Sequence, residues 1–441
     1  MVCATPQSAR SARRVALTAV VCAAALGGAA SAAAAASPWS VQRVPHPKVP
    51  VDSTLFDVSC RSSTWCVAVG GTFASSGQLF ADRWNGHAWS LLHPPLPSRS
   101  SQSELASVSC TSKSACVAIG TFVRGGHVTP LAERWNGTRW NLSVVPKPPS
   151  AVDAELEGVS CVSARSCFAV GAWRDSGGDD QALAEQMRGS KWSLRLLSQR
   201  GKRSGVTALA GVSCTSSAVC TTVGYDDAGN GIALRWNASG WRFQFDSNPN
   251  LWAGSELYSV SCVSPTACAA AGGGNDSSSA GDVSNAGVAE LWNGVKWTVK
   301  EDTDPTSAMN YDLFAVSCSA RTACLAVGFI AERWNGQSWT LERIPAQIGL
   351  VGVSCPTRAV CIAVGNSTPR HGPAAPVAMR WSGPKGRNLA QPIHSTCRVL
   401  DSCPTPLLAQ GRGVVRYTPR RQIAGAPGTD PRAPASSTRW H

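Results

Sequence analysis

Sixteen of the chain's 18 cysteines fall into eight pairs, each with five residues between its members. They are Cys60 with Cys66, Cys110 with Cys116, Cys161 with Cys167, Cys214 with Cys220, Cys262 with Cys268, Cys318 with Cys324, Cys355 with Cys361 and Cys397 with Cys403. A pair so close in sequence can staple the mouth of a short hairpin without long-range folding. First cysteines recur after 50, 51, 53, 48, 56, 37 and 42 residues, the period of solenoids and propellers. The chain is therefore one small unit written many times. It is not built around a single large core.

The unit reads directly. It opens with Leu-x-x-Val-Ser-Cys, as in Leu105–Cys110 and Leu257–Cys262, and continues after the second cysteine as Cys-x-Ala-Val-Gly, as in Cys66–Gly70. A variable stretch leads to Ala-x-Arg-Trp-Asn-Gly-x-x-Trp, as in Ala81–Trp89, Ala132–Trp140 and Ala331–Trp339. Four short runs rich in Val, aromatics and small residues, broken by Gly, Asn and Pro, predict four strands per unit. Asn-Gly between the last two runs marks a tight hairpin, since both residues tolerate positive φ. No stretch of helical period intervenes. The fold class is all-β, a propeller of four-stranded blades.

Closure sets the count. Trp39-Ser40-Val41 matches a fourth strand, compare Trp89-Ser90-Leu91, yet has no unit before it. Cys397–Gly411 and Val414–Tyr417 match three strands of a degraded unit that lacks its fourth. In the seventh unit Arg387-Asn388-Leu389 stands where Trp140-Asn141-Leu142 stands in the second. The expectation is eight blades over residues 38–421, with the amino-terminal strand completing the last and removing exposed edges. Seven blades with a carboxy-terminal hairpin is the alternative count.

Cys66–Gly71, Arg83-Trp84-Asn85-Gly86, Trp89 and the Pro94–Pro97 turn resemble a kelch repeat, an apolar strand ending in Gly-Gly and followed by spaced aromatics. The second Gly occurs at Gly71 and Gly273 and is mostly replaced elsewhere. The repeat is also similar to a group of exported Val-Ser-Cys/Arg-Trp-Asn-Gly proteins of high-GC bacteria with no defined activity. A content of 32 Arg against 8 Lys suits such a genome. The resemblance implies a propeller and no particular chemistry.

Residues 1–37 read as a secretory signal peptide: Arg10, Arg13 and Arg14, an apolar run Val15–Leu26, then small residues Gly27–Ala36. Cys3 and Cys22 fall inside it, which leaves an even 16 cysteines for disulfides outside the cytoplasm. The expected location is secreted, extracellular, without a transmembrane segment. Residues 422–441 form an Arg/Pro-rich tail suited to electrostatic contact with anionic wall polymers. Nucleic acid is not an expected partner of an exported chain with so few lysines.

Strands of a meander alternate in direction, so the bridged loops and the Asn-Gly turns share one face. The loops of variable length share the other, where a rigid ring binds its ligand. Three neighbouring units carry Asp175, Asp179 and Asp180; Asp226, Asp227 and Asn230; and Asn275, Asp276 and Asp282 in those loops. Such residues could hold Ca²⁺ or sugar hydroxyls, but no loop has a full calcium-loop spacing, and the backbone needs of solvated turns account for them more readily. The repeated tryptophans, Trp84 to Trp381 and Trp39 to Trp339, are expected to pack blade on blade. Asp82, Glu133, Glu185, Glu290 and Glu332 are expected to pair with the neighbouring arginines across strands.

No catalytic constellation stands out, and no metal or cofactor motif. The seven histidines form no ligand pair, and the paired cysteines leave no nucleophile. The functional expectation is a non-catalytic binding module for a protein or glycan at the cell surface. The alternatives are a carbohydrate-active hydrolase or lyase and a purely structural surface protein. Two carboxylates converging at the axis on the variable face would mark the enzyme; exposed aromatics and amides there would mark the binder.

Overall fold

The structure is a computed structural model that describes residues 37–45, 51–73, 77–195, 197, 205–244, 255–276, 284–299, 312–368 and 372–383. Every regular element among them is a β-strand, and no helix is long and apolar enough to cross a membrane. The 28 strands form seven four-stranded antiparallel sheets. Six are meanders over residues 53–92, 102–143, 151–194, 206–244, 256–299 and 313–342, blades 1 to 6. Blade 7 takes three strands from residues 348–382 and its fourth from Trp39–Gln42.

The ring thus closes at seven blades, which corrects the expected eight. Trp39 lies opposite Trp381, and Gln42 opposite Ala378. The amino-terminal strand therefore occupies the place expected of Arg387–Leu389. First strands lie side by side around the axis, the seventh against the first, so no gap remains for another blade.

Seven of the eight expected disulfides are present, each across a hairpin, with Cα atoms 3.9–4.0 Å apart. Cys60 joins Cys66, Cys110 joins Cys116, Cys161 joins Cys167 and Cys214 joins Cys220. Cys262 joins Cys268, Cys318 joins Cys324 and Cys355 joins Cys361. The eighth expected pair, Cys397 with Cys403, lies outside the described residues, as does Val414–Tyr417.

A ring of hydroxyls explains the Val-Ser-Cys motif. The first strand of each blade is the inner edge of its sheet, and its inward N–H groups lack a sheet partner. Each motif serine accepts a hydrogen bond from the next blade's cysteine N–H. Cys110 donates to Ser59, Cys161 to Ser109 and Cys318 to Ser261 at 3.0 Å; Cys214 donates to Ser160 and Cys262 to Ser213 at 2.9 Å. Cys355 donates to Ser317 and Cys60 to Ser354, both at 3.0 Å, which completes the circle.

The other repeated residues have equally local reasons. In Asn-Gly only the glycine takes positive φ, +100° at Gly86, while Asn85 Oδ1 accepts the N–H groups of His87 and Ala88 at 2.9 Å. Trp84 Nε1 donates to Ser63 O at 3.2 Å within its own blade, and Arg380 of blade 7 donates to the same carbonyl at 3.3 Å. Pro265 O receives Trp292 and Arg235 in the same way. At these two seams an Arg of one blade and the Trp of the next clasp the blades through one carbonyl, whereas Arg333 pairs with Glu342 of its own blade at 3.1 Å.

Seven apolar clusters each draw on two adjacent blades. The repeated leucine is their centre: Leu55, Leu105, Leu156, Leu209, Leu313 and Leu350 are wholly buried. Each such leucine contributes roughly 2 kcal/mol by leaving water. The tryptophans of the repeat are buried as expected, with Trp241 only half-buried.

Candidate ligand site at the axial mouth

Each first strand starts on the variable-loop face and runs inward along the axis, so the residues just before the repeated Leu surround the mouth. In chain order they are Thr54, Glu104, Glu155, Ala208, Glu256, Asp312 and Gly349. A β-bulge follows the Leu, as the register shift between Leu55 and Asp57 shows. The bulged positions are Phe56, Ala106, Glu157, Ala210, Tyr258, Phe314 and Val351. Tyr258 stacks on Phe314 of the next blade at 6.0 Å, so the bulge side chains of blades 5 and 6 meet.

Small residues make room for the acids. An alanine at Gly71 would put its Cβ 2.9 Å from the Cβ of Glu104, and one at Gly273 would overlap the Asp312 carboxyl. These are the two places where the repeat keeps its second glycine. Elsewhere the same contact is polar: Asn366 Nδ2 donates to Thr54 Oγ1 at 2.8 Å.

The mouth has an acidic side and an aromatic side. Burial holds the Glu155 carboxyl well above the ordinary range, and Glu157, Asp180 and Asp153 add to this while Arg174 opposes it. Glu157 is pushed up to about 7 by burial. Burial also raises Glu256, reinforced by Asp312 and opposed by a hydrogen bond from Tyr258. Asp312 is raised by burial. Burial raises the Tyr225 and Tyr258 phenols, and the surrounding carboxyls raise them further. Arg174 forks onto Asp180, with Nε–Oδ1 2.8 Å and Nη2–Oδ2 3.0 Å. The aromatic side runs from Tyr258 through Phe314 to Phe329, at 5.7 Å, and includes Phe56 with Phe73 at 5.9 Å. Phe73 and Phe329 are half exposed, 51% and 52%.

Deeper in, Asp57 ties blade 1 to blade 2. Its Oδ2 accepts Ser107 Oγ–H at 2.7 Å and Val108 N–H at 2.9 Å, and Oδ1 accepts Val58 N–H at 2.7 Å. Burial still outweighs these bonds and raises the carboxyl to about 6.

Of the loop residues expected from sequence, Asp180 joins the cluster. Asp175 instead caps its own turn, accepting Gly177 and Asp179 N–H, and Asp226 caps another through Ala228 and Asn230 N–H. Asp227 accepts Gly205 N–H at 3.3 Å, and Asp179 is exposed. Only the backbone is described at Asn275 and Asp276, and Asp282 lies outside the described residues. Sequence reasoning missed Glu104, Glu155, Glu157, Glu256 and Asp312. The available signal was an acid just before the repeated Leu in four of seven units. Among the described residues no three His, Cys, Asp or Glu side chains are placed to share a metal ion.

No family model matches the chain, and no curated protein does. Among solved structures it is similar to YCF48 bound to a D1 peptide, with TM-score 0.48 and 12% identity over 78% of this chain and 97% of that one. It is similar to the six-bladed fucose-recognising lectin of Aleuria aurantia, with TM-score 0.42 and 11% identity over 69% and 100%. An α-L-arabinanase of Penicillium chrysogenum in complex with arabinobiose gives TM-score 0.43 and 6% identity over 77% and 95%. Likenesses at this level carry nothing of those proteins' chemistry to this chain.

Proposed function

We propose that the chain is an exported, non-catalytic binding module that takes a cationic segment of a protein partner into the axial mouth. The observation that carries this reading is the mouth's composition. Asp153, Glu155, Glu157, Asp180, Glu256 and Asp312 share one field, which Arg174 opposes at Glu155. An arginine or lysine entering there offsets carboxyl repulsion and meets the ring faces of the aromatic side. The rest of the chain is basic, net +13 overall, so the mouth is also the place that attracts such a segment. We keep the kelch likeness of the repeat within this reading.

The test is a titration of the purified protein with an Arg- or Lys-rich peptide, an acidic peptide of equal length and a glycan panel. Binding of the basic peptide alone, weakening from low to high salt and lost in E155Q/E256Q, is expected. Indifference to basic peptides together with binding of a neutral glycan would overturn the cationic reading.

One observation favours a second reading. Glu157, raised to about 7, and Glu155 stand on one strand at the axis, and convergent carboxyls of this kind serve glycoside hydrolysis. Turnover on the same glycan panel, abolished by E157Q, would establish it.

A further inference from the structure

Midway along the third strand of each blade, one side chain enters the seam with the preceding blade. In chain order these are Asp82, Glu133, Glu185, Leu234, Glu290, Glu332 and Met379. All are buried: Asp82, Glu133 and Glu185 have no exposure, and Leu234 and Met379 have 1% and 0%. Asp82 lies between Ala68 and Leu91 in register, Glu133 between Ala118 and Leu142, and Glu185 between Ala169 and Leu194. The facing blades present Ile362, Val364 and Ala378 to the first seam, Val67, Val69 and Ala81 to the second, and Val117, Ile119 and Ala132 to the third. Both carboxyl oxygens of Asp82, Glu133 and Glu185 are buried without a hydrogen-bond partner among the described residues. The expected pairing of these three acids with neighbouring arginines is therefore corrected.

Among the described residues four arginines lie near these seams. Arg380 faces the seam of Asp82 but donates to Ser63 O, and Arg134 faces that of Glu185 but donates to Ala164 O. Arg83 faces the seam of Glu133, yet burial is the cause acting on that carboxyl. Arg195 draws Glu185 partly back while bonding Gln186 Oε1 at 2.9 Å. Packing does not require an acid here, because Leu234 and Met379 fill the same position in blades 4 and 7.

We propose that the seams of blades 7–1, 1–2 and 2–3 form a proton-dependent clasp, tight while Asp82, Glu133 and Glu185 are protonated and loosened as they ionise. Burial raises Asp82 to about 7 and Glu133 and Glu185 to about 8, so the change falls across neutrality. The sign follows from linkage. Unfolded, these acids ionise near 4, so folding takes up protons between that pH and 7–8. The stability they permit is full below about 4 and declines until pH passes the folded values. A ring that weakens at one arc as pH rises would hold its form in acid surroundings and open its seams in alkaline ones.

The test compares thermal midpoints from pH 5 to pH 9 for the natural chain and for E133Q/E185Q, with D82L/E133L/E185L as a second variant that copies the leucine of the blade 4 seam. The midpoint of the natural chain is expected to fall by roughly 5 °C or more over this range. The variants should lose a clear part of that fall, the triple variant more than the glutamine pair, which keeps Asp82. The axial acids remain in every variant, so the difference between chains isolates the seams. A natural chain with a flat profile, or variants that keep its full slope, would overturn the proposal. Should the triple variant fail to fold, the glutamine pair still decides, since it keeps shape and removes ionisation.

Discussion

At Gly171 the backbone of the second strand passes so close to the first that an alanine Cβ would overlap the Glu155 carbonyl oxygen. The same overlap awaits any side chain at Gly70, Gly120, Gly224, Gly272, Gly328 and Gly365, which is why each of the seven blades has glycine four residues after its second cysteine. The β-bulge after the repeated Leu brings the strands together there and aims Glu157, Tyr258 and Phe314 at the axis. Gly171→Ala should therefore cost about 3 kcal/mol of unfolding free energy. Gly240→Ala, with open space around it, should change stability by no more than about 0.5 kcal/mol. Denaturant titration of the two variants checks the pair, and equal effects would contradict the close approach. The glycine was legible in the sequence as a repeat letter. Its reason was not, because the atom it makes way for belongs to a residue 16 positions earlier.

Among the elements, the hairpin was the most legible unit. Five residues between cysteines predict a bridge across a short loop, and the seven described pairs form it. The turn was only half read, since Asn85 acts through its side chain and leaves positive φ to Gly86. Less legible still was the partner of each strand across the seam. Asp82 and Arg83 are neighbours in sequence, and strand alternation sends them to opposite faces of one blade. Adjacency therefore suggested a pairing that the pleat forbids. Because each bridge closes a loop of few residues, its removal releases little unfolded-state entropy. Cys161→Ser with Cys167→Ser should cost about 2 kcal/mol and leave a cooperative transition, as thermal unfolding would show. A collapse of the whole ring in that variant would mean that the bridges hold blades to one another, contrary to the serine circle that spans the seams here.

For the whole molecule, the repeat pattern pointed to closure by the amino-terminal strand but misjudged which sheet it closes. A degraded unit around Cys397 and Cys403 repeats the cysteine spacing of a true blade and lacks only a fourth strand, whereas the ring counts only first strands that fit around the axis. The mouth was obscured for a related reason. Glu155, Glu256 and Asp312 stand up to 157 positions apart, and only the circular arrangement of their strands brings them into one field. Closure also makes the strongest demand on stability. Trp39–Gln42 is held to the third strand of blade 7 along four register pairs, Gln42 Oε1 accepts Trp89 Nε1–H at 2.9 Å, and Val44 is buried against blade 1. A chain beginning at Val51 would leave Ala375–Ser382 as an open edge with Trp381 uncovered. Loss of the buried Trp39 and Val44 alone should cost about 5 kcal/mol. Such a chain should melt far below one beginning at Pro38 and should associate through the bare edge. A synthetic peptide of residues 37–45 added in trans should restore the midpoint in proportion to its concentration, because it binds only the folded ring. Equal midpoints for the two chains, or no response to the peptide, would mean that the propeller closes without its first strand.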